Sequence, residues 1–166
     1  MKNIEKHFCF ISPAGFPLFV SGGVGPGGAE RQFLLYAETI LIVGGKVSFI
    51  TEPPQKKYDD ELDKRFKIIT TPIFRHGSNH IVFLFNIFRF CIALKKVDAD
   101  FYIIKLPSFL LLPMGLYSKL FRKKLVFWGQ MSFDSNPDLR KQGMLGSFIT
   151  RIGISLADIV IAQTDE

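Results

Sequence analysis

Short apolar runs alternate along this chain with longer segments whose apolar positions recur at helical spacing. The run KHFCFIS (6–12) is apolar from Phe8 to Ile11 and predicts a buried strand. A long Gly/Pro loop follows at 13–28. AERQFLLYAETILIVGG (29–45) then places Phe33, Ala37, Ile40, Leu41 and Gly44 on one helical face. Glu30 suits the positive end of that helix, and Gly44-Gly45 is a stop signal. KVSFIT (46–51) predicts a second strand, and the charged segment 53–66 a surface loop with room for one helical turn. KIITTPI (67–73) is a third strand and residues 78–96 a second helix. DFYIIKL (100–106) is a fourth strand. A third helix follows at 107–124, with Pro107 at a favourable first position and Pro113 kinking it or delaying its start. LVFWGQ (125–130), a helix at 139–156 and DIVIAQ (158–163) complete the pattern.

Strands this apolar, separated by helices, call for a parallel sheet covered on both faces. The right-handed crossover rule makes that an α/β, doubly wound, Rossmann-like sheet within a single domain, 1–166. Ligands of such sheets sit beyond the carboxyl ends of the strands, at loops 13–28, 51–66, 105–108 and 129–138. No internal repeat or low-complexity tract interrupts the pattern.

The first of these loops holds the most pointed motif, SGGVGPGGAERQ (21–32), with five glycines and Pro26. Gly23, Gly25 and Gly28 satisfy G-x-G-x-x-G, and Glu52 ends the second strand, as in a dinucleotide-binding turn. That turn requires its first glycine directly after the strand, whereas Gly23 lies far beyond Ile11 unless PLFVS, with its Pro17, is the strand. Pro26 also deletes a backbone donor that a phosphate could use. A nicotinamide-dependent oxidoreductase or epimerase domain is therefore the alternative reading, and a surface loop punctuating a helix is the plainest one.

GPGGAERQ, followed by FLLYAETILIVGGKVSFIT, resembles the first loop, helix and second strand of family 4 glycosyltransferases, whose two-domain architecture is GT-B. ADIVIAQTDE (157–166) is similar to the segment near the end of that family's N-terminal domain, and DADFYIIKLPSFLLLPMGLYSKLFRKKLVF to the elements between. The resemblance implies an acceptor-side N-terminal domain, completed by a C-terminal nucleotide-sugar domain that is absent from this chain or carried on a separate one. By itself such a half is expected to be nearly inactive. It implies hexosyl-type transfer from a nucleotide-sugar co-substrate to a glycan or lipid-linked acceptor, as in polysaccharide biosynthesis, with no other cofactor and no metal. Gly27 and Gly28, at the helix start, would meet the donor diphosphate through backbone N–H groups. Gly22, Gly23 and Gly25 would give the loop its freedom. No catalytic residue is assigned. Many relatives carry His after the fifth strand; here FWG puts Trp128 there, which offers one N–H and no titratable group.

Lys105, Gln130 and Asp134 follow strands at the ligand edge and, with Trp128, are the candidates for acceptor binding. For Lys105, Gln130 and Asp134 a solvated loop position is the commoner fate. His76 and His80 flank a GSN turn without a nucleophile or acid at motif spacing, and a capping or solvated role is expected.

Composition adds two constraints. Eighteen phenylalanines in 166 residues mean either a well-filled core or an apolar surface with a use. The net charge of +6 suits phosphate-bearing ligands or anionic lipid, and no basic-aromatic sheet signature of nucleic-acid binding is present. The helix 78–96 sharpens the question. Its polar positions Asn86, Arg89 and Lys96 form, with Ala93, one narrow stripe. Burial on two sides is the expected explanation, and contact with an anionic membrane surface is the other, helped by Lys95, Lys96 and the basic residues Lys119, Arg122, Lys123 and Lys124. Cys9 and Cys91 read as buried thiols of a reducing compartment. The N-terminal apolar stretch is too short for a signal peptide. A cytoplasmic protein, peripheral at the inner face of the membrane, is the expected location.

Overall fold

Continuous apolar runs become strands here because both faces of each inner strand can be covered, as β2 (Lys46–Thr51) shows: every residue after Lys46 is buried. The computed structural model describes residues 5–20, 27–54, 62–72, 80–105, 109–129 and 143–162. The chain divides into two compact units, Met1–Asp100 and Phe101–Glu166. The first contains β1 (His7–Ile11), a 3₁₀ helix (Pro13–Phe19), α1 (Gly28–Ile42), β2, β3 (Lys67–Thr70) and α2 (His80–Val97). Its strands run parallel in the order β3-β2-β1, in the register His7 opposite Lys46 and Ser48 opposite Lys67. The second contains β4 (Phe101–Ile104), α3 (Leu111–Leu120), β5 (Lys124–Gly129), α4 (Gly143–Ser155) and β6 (Ile159–Ala162), its strands parallel in the order β4-β5-β6. The alternation of parallel strands and helices is the expected α/β, Rossmann-like class.

The phenylalanine surplus has two destinations. Phe10, Phe19, Phe33, Phe49 and Phe66 are buried in the first unit as a chain of tilted, stacked and edge-on rings, with centroids 4.5 to 5.9 Å apart. Phe19 reaches that cluster because residues 13–19 are not a loop, as their Gly/Pro content suggested, but a 3₁₀ helix folded back over β2. PLFVS is not the first strand either: Val20 makes only an isolated antiparallel bridge to Leu62. α1 buries Phe33 and Ala37, leaves Ile40 and Leu41 half-buried, and ends where Gly44 takes a positive φ of 86°.

α2 departs from expectation. Its buried line is Asn86, Phe90, Ala93, Leu94 and Val97, while Ile81, Leu84 and Phe88 are more than three-fifths exposed. The helix is therefore covered on one side, not two. The stripe Asn86–Arg89–Ala93–Lys96 runs along the boundary, so Asn86 and Ala93 turn inward while Arg89 and Lys96 turn out.

In the second unit α3 starts at Leu111 rather than 107, with Pro113 in its first turn, where no intrahelical N–H bond is lost. Pro107 lies outside the described residues. Two glycines let α3 and α4 touch: a Cβ on Gly115 would lie 2.6 Å from the Leu156 Cβ, and one on Gly153 2.5 Å from the Leu111 Cβ. Tyr102 and Tyr117 meet edge to face at 5.7 Å in the core below. β6, expected to be buried, is exposed along its length because, among the described residues, it pairs only with β5 and has little packed against it.

Ala-Asp precedes both β4 and β6, and each aspartate makes the same reciprocal clamp. The Asp100 N–H donates to the His7 carbonyl while its carboxylate accepts from the His7 N–H, both at 2.9 Å. The Asp158 N–H donates to the Leu125 carbonyl at 2.8 Å while its carboxylate accepts from the Leu125 N–H at 3.0 Å.

Candidate functional site

Since β1 and β2 are parallel and α1 returns between them, the start of α1 lies at the carboxyl edge of the first unit's strands. Residues 12–27 separate β1 from α1, and residues 13–19 of that span are a 3₁₀ helix, so α1 does not follow β1 directly, as the dinucleotide turn requires. Gly27 is the N-cap in extended conformation, and its carbonyl receives the Arg31 N–H at 3.3 Å. The N–H groups of the first turn have no intrahelical acceptor, the usual condition for anion binding. The two glycines differ. A Cβ at Gly28 would meet nothing within 4 Å, whereas one at Gly27 would lie 2.9 Å from the Glu30 Oε2. Glu30 therefore curls its carboxylate toward the N-cap. Gly28 is the open approach. Gly22, Gly23 and Gly25 lie outside the described residues.

Sequence reasoning passed over one residue at this edge. Thr51 ends β2, fully buried, and its Oγ1 has no hydrogen-bond partner among the described residues. A buried threonine at the end of an apolar strand gives no sequence signal beyond its position.

At the carboxyl edge of the second unit, Lys105 and Trp128 come together. The Lys105 Nζ lies 5.1 Å from the Trp128 ring centroid, a cation–π contact. Lys105 is only 2% exposed and Trp128 8%. Lys105 is thus not the solvated loop residue that was the commoner expectation. The Trp128 indole gives it an aromatic face to lie on. Gln130 and Asp134 lie outside the described residues, as does His76.

Two of the basic residues at the end of α3 and the start of β5 share one carboxylate. Lys119 and Lys124 both reach the Asp158 Oδ1, at 3.0 and 3.1 Å. Arg122 takes a positive φ of 55° at the turn. Burial alone would raise the Asp158 carboxyl. The Leu125 N–H and the two ammonium groups overcome that and lower its pKa from 3.8 to about 2. A folded pKa below the unfolded one stabilises fully above about pH 4, and the contribution is lost as pH falls through about 2. Asp158→Asn should therefore lower stability by about 1–2 kcal/mol at neutral pH. In urea titrations the gap from wild type should close as pH approaches about 2; a gap independent of pH would show that the carboxylate charge is not the source.

The opposite, amino edge of the first unit holds a His–Ser pair. The His7 Nε2 is 2.7 Å from the Ser48 Oγ, and a cavity of about 570 Å³ opens beside them, lined also by Lys46, Lys64 and Lys67. Burial first, then the Lys67 charge, lowers the His7 pKa. The arrangement lacks catalytic form, since Asp100 accepts from the His7 backbone rather than its ring and Ser48 is fully buried. Cys9 is buried, and burial pushes its thiol and that of half-buried Cys91 upward, which leaves both poor nucleophiles. Among the described residues no cluster of His, Cys, Asp or Glu could hold a metal ion, and no helix is long and apolar enough to cross a membrane.

No protein-family model matches the chain, and none of the curated proteins does. Solved structures do. MurG of Acinetobacter baumannii is similar over 95% of this chain and 40% of its own, with a TM-score of 0.58 and 17% identity. A UDP-N-acetylglucosamine 2-epimerase is similar over 95% of this chain and 42% of its own (TM-score 0.52, 8% identity). The UDP-GlcNAc 2-epimerase of Methanocaldococcus jannaschii is similar over 96% and 40% (TM-score 0.51, 10% identity). The chain thus spans about two-fifths of the length of these structures, and at such identities the likeness is one of fold. This chain has the fold of one Rossmann-like half of a GT-B architecture.

Proposed function

We propose that this chain is the acceptor-side, N-terminal half of a glycosyltransferase related to family 4, moving a hexosyl group from a nucleotide sugar to a glycan or lipid-linked acceptor. A nucleotide-sugar domain, on the same or a separate chain, completes it. The observation that carries the reading is the entry into α1: an open Gly28 at the carboxyl edge, after a long helical excursion rather than a dinucleotide turn. Helix N–H groups there would stabilise the departing diphosphate. In this reading the buried Lys105–Trp128 pair would underlie the acceptor side and shape it from beneath. Gln130 and Asp134, which lie outside the described residues, would be further acceptor contacts in this reading. Lys119, Arg122, Lys123 and Lys124 would add peripheral contact with an anionic membrane.

The epimerase structures motivate a second reading, chemistry on a nucleotide sugar without an acceptor. One experiment separates the readings: incubate a panel of labelled nucleotide sugars with and without lipid-linked and glycan acceptors, using the chain alone and the chain supplied with a nucleotide-sugar domain. Acceptor-dependent transfer only in the completed enzyme is expected, because orientation of the donor needs both halves. Altered sugar without acceptor would favour the epimerase. Low-micromolar NAD binding, weakened by Gly23→Ala, would favour the oxidoreductase.

A further inference from the structure

We propose that the cavity at the amino edge of the first unit binds a small organic phosphate, its phosphate group held by Lys46, Lys64 and Lys67 beside His7. The register of the sheet builds this cluster. β1, β2 and β3 begin at His7, Lys46 and Lys67, so three adjacent parallel strands each present a basic residue at one edge. His7 pairs with Lys46 and Ser48 with Lys67, while Lys46 and Ser48 stand two apart on one strand. All four side chains therefore lie on the same face of the sheet. The cavity beside them, of about 570 Å³, is within the range of small-molecule sites and larger than a bare phosphate needs. Leu41 and Phe66 make part of its wall apolar, which suits the body of an ester.

Charge selects the ligand. Among the described residues no Asp or Glu lines the cavity. Arg65, the remaining cation of the wall, is taken by Asp63 and Glu38, at 2.7 and 3.1 Å. The Lys67 Nζ donates to the Lys96 carbonyl at 3.0 Å, a contact that caps the last turn of α2 and leaves the ammonium charge uncancelled. Asp100 is engaged elsewhere: its carboxylate accepts from the His7 N–H at 2.9 Å and lies 3.8 Å from the Lys6 Nζ. The carboxyl end of α1, near Leu41, opposes an anion with about half a negative charge, against three ammonium groups. A phosphate monoester brings close to two charges and three acceptor oxygens, one for each lysine, where a carboxylate brings one charge and two oxygens.

His7 reports on the site. Its Nε2 is held 2.7 Å from the Oγ of the fully buried Ser48. Burial first, then the charge of Lys67 and more weakly that of Lys46, lowers its pKa, while Asp100 and Asp98 raise it. A bound dianion would oppose the two lysines, so His7 should titrate at higher pH with ligand than without. The site lies at the edge opposite Gly28 and does not depend on the glycosyltransferase reading.

Ribose 5-phosphate is the probe, with ribose and inorganic phosphate as controls. In NMR titrations of the chain, the ester should shift the His7 ring and the Lys46 and Lys67 amides and raise the His7 titration midpoint. Inorganic phosphate should do the same at higher concentration, and ribose not at all. Lys46→Gln/Lys67→Gln should weaken the ester at least about tenfold with the circular dichroism unchanged, since two charge-assisted contacts are lost. Lys46→Arg/Lys67→Arg should retain it. Gly28→Asp should leave it unchanged, which separates this site from the donor edge. A His7 ring indifferent to the ester, an affinity unmoved by the paired glutamine substitutions, or loss of binding in Gly28→Asp would overturn the proposal. Equal affinity for inorganic phosphate and the ester would overturn the assignment of an ester.

Discussion

If the proposed glycosyltransferase reading holds, Gly28→Asp is expected to reduce sugar transfer by the completed enzyme about a hundredfold while leaving the fold as stable as wild type or slightly more so. The two effects have opposite signs for one reason. Gly28 is the first residue of α1, where unpaired N–H groups and the helix dipole favour negative charge. A fixed carboxylate there helps the helix and competes with a diphosphate for the same donors. The site has room, since a Cβ at Gly28 meets nothing within 4 Å, so steric damage cannot explain a loss. Gly28→Ala should lie between, with near-normal stability and a smaller loss of transfer. In the chain by itself, inorganic pyrophosphate should shift the amide resonances of residues 28–30 in the wild type and not in Gly28→Asp. Glu30→Gln should strengthen that binding, because the Glu30 carboxylate already leans toward the N-cap. Full transfer by Gly28→Asp would remove α1 from the donor site.

Gly153→Ala should destabilise the second unit by about 2 kcal/mol, although alanine is the better helix former by about 1 kcal/mol. A Cβ at that position would lie 2.5 Å from the Leu111 Cβ, 2.6 Å from the Leu112 N and 2.7 Å from the Leu111 C. Two of those atoms are backbone and cannot rotate away, so α3 and α4 would have to separate. Their contact is the most extensive helix–helix contact of that unit. Gly153→Val should prevent the unit from folding. Gly115→Ala should also destabilise, since the nearest atom, the Leu156 Cβ at 2.6 Å, is fixed to the backbone, but should cost less because the other two, Cδ1 and Cγ, can rotate. Urea unfolding monitored by circular dichroism ranks the three. An unchanged midpoint for Gly153→Ala would mean that the helices are not this close.

Element type was legible wherever local pattern and tertiary burial agree. The continuous runs at Phe8–Ile11, Val47–Thr51 and Leu125–Trp128 are strands because buried parallel strands need apolar residues on both faces. Gly44 ended α1 as expected because only a local left-handed turn was required of it. The order of elements then left few topologies, and the Rossmann-like class followed from the chain alone.

Tertiary structure decided what local pattern cannot encode. Pro13–Phe19 reads as a loop by composition, yet burial of Phe16 and Phe19 against the sheet holds it as a 3₁₀ helix. Lys105 follows an apolar strand as any solvated lysine might, and only the fold lays it, buried, over Trp128. Asp158 is one acid among many until β5 places the Leu125 N–H, Lys119 and Lys124 around it. α2 is apolar nearly all round, so periodicity could not say how many sides were covered. That depends on which elements pack against it, a property of the whole chain that no window of residues contains.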